Sequence, residues 1–116
     1  MQRNAVIIVV FAYLLARCHL PIGDRVIQVK ASVISGSQAP ISGCRLDLVS
    51  GDMQTVLDSA PDMRPQFLSS FINPPDKGSY YFKITCPNHQ DSFLSAKYNF
   101  ATGPYLHDLG VVVIAR

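Results

Sequence analysis

Glutamate is missing from this chain, and all eight acidic residues are aspartate. A general acid and base built from two carboxylates would therefore need two aspartates, and only Asp58 and Asp62 stand near each other, in a stretch that reads as loop chemistry. Strong helix formers are scarce after residue 18, whereas Val, Ile, Tyr, Phe and Ser are plentiful, which biases the chain toward β-structure. Basic charge is also short where it would matter. The formal charge is +2, but Arg3 and Arg17 precede Cys18, which leaves eight basic against eight acidic residues beyond it. Nothing in that balance favours nucleic acid or an anionic membrane surface as a partner. No Gly-rich phosphate loop, no Gly-x-Ser-x-Gly elbow, no internal repeat and no low-complexity tract is present. His19, His89 and His107 lack a spaced thiol or carboxylate partner, so no metal site and no cofactor is expected, and surface loop positions are the ordinary reading of His89 and His107.

The N-terminus supplies what the rest lacks, a long apolar run. Arg3 is followed by Ala5–Ala16, all apolar, and then by Arg17 and Cys18. One early positive charge and about a dozen apolar residues have the shape of a secretory signal. The run is shorter than the ~20 residues that span a hydrocarbon core, so a signal helix over 1–18 is expected in preference to a permanent membrane span, an uncleaved anchor or a buried core helix. About 98 residues follow Cys18, enough for one domain, placed at 24–116.

Within that domain the period is two. Ile27, Val29, Ala31 and Val33 alternate with polar residues up to Ser35, and Gly36 to Pro40 read as a turn with Gly36 supplying conformational freedom. Gly43 opens a second strand with Cys44, Leu46 and Leu48 on one face. Residues 53–57 read as a weak strand, 60–65 as a loop between prolines, and 66–73 as a strand covered on both faces. The clearest strand places Tyr80, Phe82, Ile84 and Cys86 on one side and Tyr81, Lys83 and Thr85 on the other. Phe93 to Phe100 predicts one strand with Leu94, Ala96, Tyr98 and Phe100 inward. Leu109 to Ile114 is so apolar that it predicts a central or doubly covered strand. About seven short strands with regular turn signals give an all-β, two-sheet Greek-key sandwich.

Three cysteines divide naturally. Cys44 and Cys86 fall on inward phases and are expected to form an intersheet or interstrand disulfide in an oxidising compartment, the alternative being two buried thiols. Cys18 is left over, either removed with the signal or kept as a lipid attachment point. Leu15-Ala16-Arg17-Cys18 resembles a bacterial lipobox, with Arg17 where that pattern has Gly or Ala, and the resemblance implies acylation of Cys18.

The segments Val29-Lys-Ala-Ser-Val33, Ala39-Pro-Ile-Ser-Gly-Cys-Arg-Leu-Asp-Leu48, Gly78-Ser-Tyr-Tyr-Phe-Lys-Ile-Thr-Cys86 and Asp108-Leu-Gly-Val-Val-Val-Ile114 together resemble the carboxypeptidase regulatory-like and transthyretin-like (prealbumin-like) sandwich group. The middle of the chain, Leu57 to Phe67, is longer than the group's usual turn and lacks its glycine. The resemblance implies a module for binding, spacing or stabilising on exported proteins, and no catalytic residue. Enzymes of the group carry signatures that this chain lacks: it ends Val-Val-Ile-Ala-Arg116, without the Tyr-Arg-Gly-Ser of hydroxyisourate hydrolases, and Tyr80, Tyr81 and Tyr98 do not have the spacing of intradiol dioxygenases. The expectation is a non-catalytic interaction or structural module of the periplasm or cell envelope, touching membrane only through a signal or lipid anchor. A secreted small-ligand-binding oligomer is the alternative. Tyr81, Lys83 and the tips at 61–65 and 87–91 are candidate contact positions for a protein or small ligand.

Overall fold

The computed structural model describes residues 25–75 and 77–116. The expectations for the 1–18 signal, for Cys18 and for His19 lie outside the described residues. Among the described residues there is no helix, and eight strands follow one another: β1 (Val26–Ser35), β2 (Cys44–Ser50), β3 (Val56–Met63), β4 (Gln66–Ile72), β5 (Ser79–Thr85), β6 (Ser92–Leu94), β7 (Tyr98–Asn99) and β8 (Leu106–Ile114). They form a three-stranded sheet in the order β4-β1-β8 and a five-stranded sheet in the order β3-β2-β5-β6, with β7 also on β5. Neither sheet closes on itself, and the arrangement fits a β-sandwich.

The alternation of β1, β2 and β5 explains the core. Ile27, Val29, Ala31 and Val33 from β1 are buried with Leu46 and Leu48 from β2 and Tyr80, Phe82 and Ile84 from β5. Phe71 of β4 stacks on Phe82 across the sandwich at 6.4 Å between ring centres. Burial of such side chains stabilises by about 1.5–3 kcal/mol each, which is the main force holding the layers together.

Five sequence expectations need correction. Residues 60–63 are not a loop but the end of β3, because Pro61 sits on an edge strand where its missing N–H costs no ladder bond. Register shifts against β2 at Cys44/Leu46, with Asp62 at φ 56°, absorb the irregularity. The stretch 93–100 is two short strands, and Leu94 faces solvent while Ser95 is buried. Ser95 explains the break. Its amide donates to the Phe82 carbonyl and its hydroxyl accepts the Phe82 N–H at 2.8 Å, so a side chain replaces part of the ladder.

The apolar tail is an edge strand, open on one side. β8 begins at Leu106 and runs parallel to β1, and between Lys30 and Ser32 it advances three residues while β1 advances two. The extra residue is a bulge at Leu109–Gly110, where Gly110 has φ +68° and donates to Asp108 Oδ1 at 2.9 Å. It moves the inward phase from His107 to Val112 and Ile114, leaving Val111 and Val113 exposed. β4 is likewise covered on one face only, with Leu68 and Ile72 open to solvent. At the first turn the left-handed residue is Gln38 (φ 68°), not Gly36.

Candidate functional site

Three features outside ordinary core packing are candidates for a role. The first is the cysteine pair. Cys44 begins β2 and Cys86 follows β5, and because Arg45 lies opposite Thr85 the two cysteines are the next facing positions along the same ladder. Their sulfurs lie 2.07 Å apart with Cα atoms 4.1 Å apart, the geometry of a disulfide between neighbouring strands of one sheet. Of the two placements expected, interstrand and intersheet, the structure has the first. Both cysteines are buried, so the pair acts as a staple and offers no accessible thiol.

The second is a buried polar pair. His107 is 3% exposed, which corrects its reading as a surface histidine. β8 aims it into an aromatic box in which Tyr98, Phe82 and Tyr80 lie with ring centres 4.4, 4.8 and 5.8 Å away. Its Nε2 meets the Tyr80 hydroxyl at 2.8 Å. Burial lowers the His107 pKa, opposed by a bond to the Pro104 backbone, and burial pushes the Tyr80 phenol up to about 12, with Tyr98 adding to the rise and Arg25 opposing it. Both groups stay neutral at pH 7, each supplying what the other lacks. This is a satisfied core pair, enclosed and without a route for substrate.

The third is the outer face of the three-stranded sheet. Alternation turns Val26, Leu68, Ile72, Leu106, Val111 and Val113 outward, and all six are exposed. Val26 stands opposite Ile72, and Ile34 beside Val113. Lys30 and Asp108 form an exposed ion pair at 3.5 Å in the middle of this face, of the kind that contributes about 0–1 kcal/mol. A shallow, open groove crosses all three strands, lined by Lys30, Ser32, Leu68, Asp108 and Val111 among others. Gln28, Lys30, Ser32, Gln66, Ser70 and Asp108 share this face, so its apolar side chains are interleaved with polar ones, and exposed apolar groups gathered on one sheet face mark an interaction surface more often than chance exposure.

The expected contact positions distribute differently. Tyr81 and Lys83 lie half-buried on the outer face of the five-stranded sheet, and the Lys97 ammonium sits 5.9 Å from the Tyr81 ring centre. On that same face Asp47 is buried, accepting from Arg45 Nε at 3.1 Å and from Ser59 Oγ at 2.6 Å. The tips at 61–65 and 87–91 come to one end of the five-stranded sheet, on either side of Gly43 and Cys44. His89 there is tied to the Pro87 carbonyl at 2.8 Å. Asp58 and Asp62 are four residues apart along β3, roughly 13 Å, too far for a carboxylate pair. Among the described residues no group of three or more metal-ligating side chains occurs, and no helix long and apolar enough to cross a membrane. Sequence reasoning missed the apolar outer face, although the unbroken Leu109–Ile114 run signalled it: a strand apolar on both phases is either doubly covered or openly sticky. No family model, curated protein or solved structure matches the chain.

Proposed function

We propose that this chain is an exported, non-catalytic interaction or structural module of the cell envelope, built as a Greek-key sandwich of the carboxypeptidase regulatory-like or transthyretin-like kind. The observation that carries the interaction reading is the outer face of the β4-β1-β8 sheet with its six exposed apolar side chains. Export is supported by the Cys44–Cys86 pair, since structural disulfides persist in oxidising compartments, and by the signal-like run Ala5–Ala16. The chain path supports the sandwich reading: it visits the three-stranded sheet with β1, β4 and β8 and the five-stranded sheet in between. Intact mass of the protein recovered from its producing cells tests the export. A chain shortened at or before His19 and two hydrogens lighter than its reduced sequence is the expected result, with an acyl addition on Cys18 if the lipid anchor is used. A full-length chain with all three cysteines as free thiols in the cytosol would overturn it.

A further inference from the structure

Among the described residues the two open sheets have four edges, and three of these are blunted. β3 carries Pro61, Asp58 and Asp62 and two register shifts against β2. β6 has three residues and breaks off at Ser95. β8 carries Asp108 and the Gly110 bulge. Charge, proline, brevity and bulges are the ordinary means by which an edge is kept from pairing with another chain. β4 has none of them. Gln66-Phe-Leu-Ser-Ser-Phe-Ile72 holds no charge, no proline and no glycine, pairs with β1 over its whole length without a register shift, and has no strand on its other side among the described residues.

The polarity of that free edge follows from its bonds to β1. Asn73 N–H donates to the Arg25 carbonyl and Val33 N–H to the Pro65 carbonyl, so the odd-numbered residues of β4 face β1. In an antiparallel ladder the alternate residues point their N–H and C=O the other way. Gln66, Leu68, Ser70 and Ile72 therefore present four donors and four acceptors to the open side.

We propose that β4 pairs antiparallel with β4 of a second copy of this chain, about a two-fold axis at Ser69, joining two three-stranded sheets into one of six strands. The strand is self-complementary in this register. Leu68 falls opposite Ser70 of the other copy and Gln66 opposite Ile72, and these even-numbered pairs are the ones whose backbone groups point outward, giving eight intermolecular hydrogen bonds. Phe67 and Phe71, equidistant from Ser69, meet on the inner face, where Phe67 is only partly buried in the single chain. Outward, the pairing makes the two apolar faces continuous. A strand of seven residues is roughly 24 Å long, and with side chains reaching about 5 Å to either face each copy covers about 240 Å², a total of about 480 Å², in the range of weak contacts below ~1,200 Å², so the pairing is carried by its hydrogen bonds. The result is a reversible dimer. The proposal deepens the interaction reading by naming the partner, and it does not depend on export, so a failed mass test leaves it standing and its own failure leaves the export reading intact.

Hydrogen exchange of the isolated protein over a concentration series from low micromolar to millimolar decides the matter. The amides of Leu68, Ser70 and Ile72 gain protection as concentration rises, by tenfold or more, while those of Phe67, Ser69 and Phe71 are protected throughout, and sedimentation shows monomer giving way to dimer over the same range. Ser70→Pro removes a donor that points away from β1, so the variant keeps the odd-numbered protection and remains monomeric at every concentration. Should that variant unfold, Ser70→Lys, which keeps the backbone and adds the missing charge, gives the same readout. Protection of the even-numbered amides that is independent of concentration means another part of the same chain covers the edge, and it overturns the proposal. So does their full exposure in a protein that stays monomeric, or a dimer that leaves them exposed and forms through Val111 and Val113.

Discussion

The two sheets of this sandwich differ in how far the chain completes them. The five-stranded sheet is closed off internally: its central strands β2 and β5 are joined by the Cys44–Cys86 pair, Asp47 and Val49 are buried on its outer face, and its edges are short or irregular. The three-stranded sheet spends its inner face on the core and leaves six large apolar side chains exposed on its outer face, among polar ones. Both share one core, so stability alone does not explain the contrast. A chain that can satisfy the outer face of one sheet with Arg45, Asp47 and Ser59 can do the same for the other, and the sheet it leaves unsatisfied is the one available to a partner.

The sharpest way to break the contrast is to remove the staple. Replacing Cys44 and Cys86 together with alanine opens a loop of 42 residues, and in the chain-entropy account the loss is about 4 kcal/mol. Denaturant unfolding is expected to show this loss as a fall in midpoint, with self-association through β4 unchanged wherever the variant is folded. A loss well under 1 kcal/mol would mean that the five-stranded sheet is no more tightly closed than its neighbour.

A smaller effect is expected at the Tyr80–His107 pair, the polar bond that ties the two sheets together. Tyr80→Phe leaves Nε2 of His107 buried without its hydrogen-bond partner, at a cost of about 1–3 kcal/mol. The same pair shapes the pH dependence. His107 is lowered by burial, so the unfolded chain takes up a proton first as pH falls, and stability declines below the ordinary histidine range until the folded form also protonates. Tyr80 is raised to about 12, so the unfolded chain ionises first, above the ordinary tyrosine value of 10.0, and stability declines again between those values. Thermal melts across pH are expected to show a plateau bounded on both sides, and Tyr80→Phe should remove its contribution to the alkaline decline.

The smallest effect on folding belongs to the outer face. Val111→Ser with Val113→Ser changes exposed side chains only and is expected to alter stability by no more than about 0.5 kcal/mol, while reducing retention on an apolar chromatography matrix. A loss of several kcal/mol would show that this face is covered in the folded chain and is not an open surface.

Much of the fold was legible because β1, β2 and β5 alternate without interruption, and an alternating strand with one buried face writes its orientation into the sequence. The cysteine pair was legible for the same reason, since two cysteines on inward phases leave few other partners. What failed was every place where a single residue changes the phase or substitutes for the ladder. Pro61 reads as a break but is harmless at an edge, Ser95 replaces ladder bonds with its own hydroxyl, and Gly110 adds one residue to β8. These depend on which strand lies alongside, information that no local window holds. The apolar face was misread for a related reason: Leu109–Ile114 is hydrophobic on both phases, and sequence cannot say whether the second phase is covered or bare. His107 was misread because its partner, Tyr80, is 27 residues away in the chain.

The bulge at Gly110 acts on the last strand as punctuation acts on a message that reads the same in two frames. After it, Val112 and Ile114 go inward and Val111 and Val113 outward, but either pair would fill the core about as well. Flattening the bulge with Gly110 still in the strand would exchange the two pairs, producing a domain with nearly the same oil content inside and a different surface outside, whereas deleting Gly110 removes the extra residue and leaves both pairs facing as they do. The identity of the exposed face is thus held by the backbone at one position and not by composition, so inserting one residue after Gly110 would rewrite what this molecule shows to its surroundings without erasing its fold.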